Sequence, residues 1–413
     1  MPPILPRRAL LAAAPALAPA LALAPRRPRA QTPPLRLGVL TDMSGPYAGN
    51  TGAGSVLGVR LAAEDFMRAN PGIRVEVVGA DAQNRVDIGL QIARNWFDRE
   101  GVDAVLDVPT SAIALGLVDL VRDKNKVGLI TAAAASDLTG GKCGPNHVHW
   151  VYDTWAMSHA VATAMVAEGG DTWSFLTADY AFGHAIERDT GGFVTAAGGR
   201  VLGAVRHPFP GTTDFSSFLV QAQSSGAKVL GLANAGADAV NSIKQAAEFG
   251  LTRKMRIAAM LFQINDLHAL GLQAGQGLFL SEAFYWDLND ATRAFAARFA
   301  QGMRGGHPGM IHAGGYSAAV HYLKAAASLG VAEARANGAA VVARMKAMPA
   351  DDALFGPGQL RADGRKVHAM HLFQVKAPAE SKAPWDYLRL VRSIPAAEAF
   401  RPMAGAGCAL VRA

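Results

Sequence analysis

The chain has 413 residues but only two cysteines, which excludes both a disulfide-dense scaffold and a thiolate zinc centre. Charge is scarce too, at 18% against the roughly 25% usual in soluble proteins. Apolar residues reach 50%, so the chain can bury a sizeable core and disorder is excluded. The Gly-x-Gly-x-x-Gly turn of dinucleotide sites is absent: Gly45, Gly49, Gly52, Gly54 and Gly58 are wrongly spaced, and no phosphate-loop lysine follows them. There is no Gly-x-Ser-x-Gly nucleophile turn. The eleven histidines are scattered. His147 and His149 share one face of an expected strand, half a metal site at most, and no third ligand stands near in sequence. Asp287-Leu288-Asn289-Asp290 starts like a calcium loop, but Arg298 occupies the position of the bidentate glutamate. No metal and no cofactor are expected.

Acid is missing altogether from residues 1–34, which carry Arg7, Arg8, Arg26, Arg27 and Arg29. The formal charge of +7 drops to +2 without them, so no basic face for nucleic acid is expected. The basic start followed by Ala9–Ala24, almost wholly Ala, Leu and Pro, is the pattern of an export signal. The pair Arg7-Arg8 leaves both the general secretory and the twin-arginine routes open. A periplasmic location is expected. No later run is long and apolar enough to span a membrane.

From Leu35 onward, short apolar runs alternate with amphipathic stretches. Strands are expected at 35–40, 73–78, 102–108, 127–132, 148–152, 173–178, 200–206, 228–233, 256–261 and 277–284. Helices are expected at 52–69, 85–99, 111–124, 156–168, 184–197, 214–225 and 236–249. Three further helices follow near 290–303, 312–329 and 337–348, then a short β-like end. This rhythm implies parallel sheets covered by helices, and there are too many strands for one such unit. The fold class is α/β with two parallel-sheet lobes. Ligand loops then follow the strands. Cys143 and Cys408 are an even pair in a chain expected to be exported, so one disulfide pinning the tail to the first lobe is expected; two free thiols are the alternative.

At this point the residues carry a family. Leu37-Gly38-Val39-Leu40 with Ser44-Gly45-Pro46-Tyr47-Ala48 resembles the opening of type I periplasmic solute-binding proteins, in the leucine/isoleucine/valine-binding group of ABC importers. Asp103–Leu106 with Pro109-Thr110-Ser111, Leu129–Ala135 with Asp137-Leu138-Thr139, and Ala178–Gly183 agree in order and spacing. So do Thr213-Asp214-Phe215, Lys228–Gly236 and Gln245–Gly250. The resemblance implies a two-lobed clamp with three crossover segments at a hinge and ligand in the cleft. Expected boundaries are 1–34 for the export segment, 35–153 with 285–365 for lobe 1, 154–284 with 366–395 for lobe 2, and 396–413 for a returning tail.

The resemblance also implies a site. Thr110, Ser111 and the backbone of Ala132, Ala133 and Ala134 match the loops that hold a ligand carboxylate. Ser44, Tyr47 and Asn50 belong to the first loop, and Tyr152 to the first crossover. Tyr180, Phe182, Asn234, Ala235 and Phe262 come from the second lobe. Departures bear on the ligand. After the strand at 256–261 comes Phe262-Gln263-Ile264-Asn265, with no acid for an ammonium group until Asp266, and Ala134 replaces a usual threonine. An aromatic or apolar carboxylate is therefore expected ahead of a branched-chain amino acid, with small polar solutes behind both. The expected partner is an ABC permease, and the chain is expected to be a monomer. The alternatives are a sensory binding protein and an exported α/β enzyme using Asp42, Asp81, Asp107 or Asp179.

Overall fold

Strand β1 (Leu35–Thr41) buries every residue except Arg36, the mark of a strand covered on both faces. In the computed structural model, which describes Met1 and residues 33–411, it is the second strand of a parallel sheet. The sheet order is β2 (Val75–Asp81), β1, β3 (Ala104–Asp107), β4 (Val127–Ile130) and β5 (His147–His149). A second parallel sheet runs β7 (Arg200–His207), β6 (Thr172–Ala178), β8 (Val229–Ala233), β9 (Arg256–Ala259). These are the two parallel sheets of a two-lobed α/β molecule. Residues 33–411 pack as one unit. The segment 1–34 expected to direct export, apart from Met1, Pro33 and Pro34, lies outside the described residues, as do residues 412–413.

Beyond β9 come β10 (Phe279–Glu282), the two-residue strands β11 (Gln359–Leu360) and β12 (Lys366–Val367), β13 (Met370–Val375) and β14 (Leu388–Ile394). β13 pairs antiparallel with both β10 and β14, so the end of the chain adds a small separate sheet.

The helix Gly52–Ala69 buries Val56, Val59, Ala63 and Phe66 on one stripe and leaves Arg60 and Glu64 exposed. Its Gly58 lets the helix Met310–Leu329 approach closely: a Cβ there would meet the His312 carbonyl oxygen at 2.5 Å. That contact carries the late helices back onto the first sheet, and Arg298 adds a 2.5 Å ion pair to Asp65. The helix Ile264–Leu270 was not expected from the pattern. It is only seven residues long, and the Asp266 carboxylate, accepting from the Gln263 N–H at 2.9 Å, caps it locally.

Two chain segments distant in sequence meet at Arg365. Arg365 is fully buried; its Nη1 donates to the Tyr152 carbonyl at 2.8 Å, and the Asp153 carboxylate lies 3.7 Å away. Cys143 and Cys408 are bonded, with Cα atoms 5.5 Å apart, and Arg401 Nη2 donates to the Ser136 carbonyl at 3.0 Å. The tail is thus tied to the loops of the first sheet. Among the described residues no helix is long and apolar enough to cross a membrane.

Candidate functional site

The site begins with a buried carboxylate. Asp42, at the end of β1, accepts from the backbone N–H of Gly45 at 2.6 Å and of Tyr47 at 2.8 Å, and from Asn84 Nδ2 at 2.7 Å. These bonds curl the loop that carries Tyr47 and Asn50. The Thr110 hydroxyl donates to Asn84 Oδ1, tying the loop after β3 to the same knot. Asp107 and Val108 both have left-handed backbone, with φ of 75° and 57°. Each costs on the order of 1 kcal/mol or more for a residue with a Cβ. The strain aims Pro109 at the cleft. Burial pushes the Asp107 carboxyl up to about 7, although hydroxyls of Thr41, Ser55 and Thr131 pull against it.

Facing this wall is the second lobe. Tyr180 precedes the helix Ala181–Ala196, and its ring lies stacked on Phe209 with centroids 4.3 Å apart. Phe209 in turn stacks on Tyr47 at 5.5 Å. The two tyrosine hydroxyls meet at 2.5 Å, and burial raises both above the usual phenol range. Asn50 Nδ2 donates to Asp266 Oδ1 at 2.7 Å. Gly236, at φ 61°, brings the second lobe so close that a Cβ would meet the Pro46 carbonyl oxygen at 2.2 Å; the Ala237 N–H donates to that oxygen at 2.8 Å. The lobes are closed on one another.

Between them lies a small cavity that is partly open to solvent. Tyr47, Asn50, Ala132, Ala134, Tyr152, Tyr180, Phe182 and Ala235, all expected from the sequence, line it. Thr51, Pro109, Leu261, Gln263 and Ile311 line it as well and were missed. For Leu261 and Gln263 a signal existed: in extended chain, residues two apart face the same way, so Phe262 between them had to point elsewhere.

Phe262 does so, and is buried in the core of the second lobe. Five more expected residues stay out of the lining. Ser44 is exposed and its hydroxyl donates to Asp81 at 2.7 Å. Thr110 is consumed by Asn84. The Ser111 hydroxyl oxygen accepts from the N–H groups of Ala134 and Ala135 at 3.3 and 3.2 Å, so it braces the second loop from behind. The Ala133 carbonyl accepts from His149 Nε2 at 2.7 Å. Asn234 donates to the Ser242 hydroxyl at 3.1 Å. In each case the polar group found a protein partner, and all but Ser44 are buried.

Two acids lie close by: Asp266, the first acid after the 256–261 strand, and Asp238, which the sequence did not suggest. Asp266 is buried and its carboxyl is pushed up to about 6, held back by the Gln263 N–H and Asn50. Burial also pushes Asp238 up to about 7, and its Oδ2 has no partner among the described residues.

A family model described as periplasmic binding protein matches residues 34–382. The chain belongs to the type I periplasmic binding proteins, in the leucine/branched-chain family. A crystal structure of a Burkholderia mallei periplasmic binding protein is similar at 45% identity, with 92% of this chain and 99% of that one covered and a TM-score of 0.88. A branched-chain amino acid ABC transporter periplasmic ligand-binding protein from Burkholderia xenovorans is 41% identical, with 91% and 99% covered and a TM-score of 0.78. An R. palustris ABC-transporter solute-binding protein in complex with 4-hydroxybenzoate shares the fold at 20% identity, with 90% and 99% covered and a TM-score of 0.78. The comparison with curated proteins returns no match. This periplasmic binding protein is therefore one of the ABC-transporter substrate-binding proteins, a family of solute binders and not of enzymes, and the family implies export to the periplasm. The closed cleft is where such a protein encloses its solute.

Proposed function

We propose that this binding protein captures a small carboxylate with an aromatic or apolar body and delivers it to an ABC permease. The observation that carries this reading is the cavity wall: Tyr47, Tyr180 and Phe182 with Leu261 and Ile311, beside Pro109 and the start of the helix Ser111–Asp123. Rings and aliphatic groups suit an apolar body, and a helix start suits an anion. The relative bound to 4-hydroxybenzoate is in keeping with it. A branched-chain amino acid is the second reading, favoured by Asp238, whose unpartnered Oδ2 near Tyr47 and Tyr180 suits an ammonium group.

The lobes are assigned to 35–153 with 285–365 and to 154–284 with 366–395, with 396–413 as the tail. The packing of Met310–Leu329 on Gly52–Ala69 and the pairing of β13 with β10 support this division. The protein acts as a monomer in this reading. Calorimetry on unfolded, ligand-stripped and refolded protein tests the ligand. Binding of benzoate or 4-hydroxybenzoate but not leucine or valine is the expected result; the reverse selects the amino acid.

A further inference from the structure

Two side chains in the cavity wall carry acceptors that nothing satisfies. Asn50 and Gln263 both line the cavity, and they are 4% and 2% exposed. Asn50 Oδ1 and Gln263 Oε1 have no hydrogen-bond partner among the described residues. The orientation of the Asn50 amide is set by Asp266: its Nδ2 donates to Asp266 Oδ1, so the carbonyl end is the end left free. Asp266 already accepts at both oxygens, the second from the Gln263 N–H. Of the side chains that line this wall, the acceptors without any partner are the neutral amide oxygens of Asn50 and Gln263. A buried amide oxygen without a donor is destabilising, and a site built around one discriminates strongly between ligands that supply the donor and ligands that do not. A neutral amide oxygen suits a neutral donor such as a hydroxyl.

We propose that Asn50 Oδ1, with Gln263 Oε1, is a hydroxyl-recognising subsite, and that the preferred solute is a hydroxylated aromatic carboxylate. This rests on the carboxylate reading above and narrows it. Asn50 comes from the first lobe and Gln263 from the second, so the subsite is complete only when the cleft is closed. The ligand hydroxyl is read at closure.

The test is calorimetry on the full ligand-stripped protein against benzoate and its 2-, 3- and 4-hydroxy derivatives, with leucine and valine alongside. At least one hydroxybenzoate should bind about tenfold tighter than benzoate. In Asn50→Leu and in Gln263→Leu that ratio should fall toward one, with circular dichroism used to verify that each variant is folded. Benzoate binding as tightly as every hydroxylated analogue overturns the subsite and leaves the carboxylate reading standing. So does a ratio unchanged in both folded variants. Binding of leucine or valine with no benzoate binding overturns the subsite and selects the amino-acid reading. Binding of none of these compounds overturns the proposed function and the subsite with it.

Discussion

Tyr47 and Tyr180 reach across the cleft until their hydroxyl oxygens stand 2.5 Å apart, 133 residues apart in sequence. The bond joins the two lobes and exists only when they are closed. Each hydroxyl is buried, so removing one strands the other. Tyr47→Phe or Tyr180→Phe should each destabilise the closed state by about 1 kcal/mol, weakening ligand binding about fivefold. The double variant should lose less than the sum of the two. A double-mutant cycle by calorimetry reads this coupling.

Phe209 lies between those two rings without lining the cavity. Its contact with Tyr180 lies within one lobe, whereas its contact with Tyr47 requires closure. Phe209→Ala should speed ligand dissociation about tenfold and leave association little changed. Stopped-flow fluorescence separates the two rates; slowed association with unaltered dissociation would contradict this role.

Gly236 marks a close approach between the lobes. A methyl group there would overlap the Pro46 carbonyl oxygen, and φ of 61° is itself strained for alanine. Gly236→Ala should fold but close poorly, weakening ligand binding by more than about tenfold. Small-angle scattering should show no compaction on adding ligand at a concentration that compacts the native protein.

The Cys143–Cys408 bond closes a sequence separation of 265 residues. Cross-linking so long a loop contributes roughly 3–5 kcal/mol by the chain-entropy account. Reduction, or Cys143→Ser with Cys408→Ser, should lower Tm by several degrees in calorimetry. A thiol titration of the denatured, unreduced protein should find no free thiol.

Asp238 supplies a pH dependence. Burial raises its carboxyl to about 7 in the folded protein, above the usual carboxylate range, so the folded state holds the proton more tightly than the unfolded chain does. Stability from this group is fully present below about pH 4 and declines as pH rises to about 7. Asp107 acts in the same direction. Asp238→Asn should remove its share of the decline, on the order of a few kcal/mol, and flatten the curve of stability against pH between 4 and 7. Urea unfolding at a series of pH values checks this.

The alternation of strands and helices from β1 to β9 could be read directly because it is a local property. A buried parallel strand is a short apolar run, and a helix packed on a sheet shows the 3.6-residue period, as in Val56, Val59, Ala63 and Phe66. The loops that follow the strands could be named for the same reason, and eight of the expected site residues line the cavity. The direction in which each loop side chain points could not. Ser44, Thr110, Ser111 and Asn234 have the right chemistry for ligand contact, yet each is paired with another group of the protein.

Sequence alone determined the α/β class, the two sheets and the family, because these follow from periodicity and from short motifs kept in order. It also brought forward the pair of cysteines. Tertiary structure alone decided which residues form the cleft. Asn50 and Asp266 are 216 residues apart, and Thr51 and Ile311 entered the wall unannounced. The physical reason is that a cavity between two lobes is defined by contacts with no sequence period. Burial then sets the chemistry: it lifts Asp238 and Asp266 out of the ordinary carboxylate range and leaves the Asn50 amide oxygen without a partner.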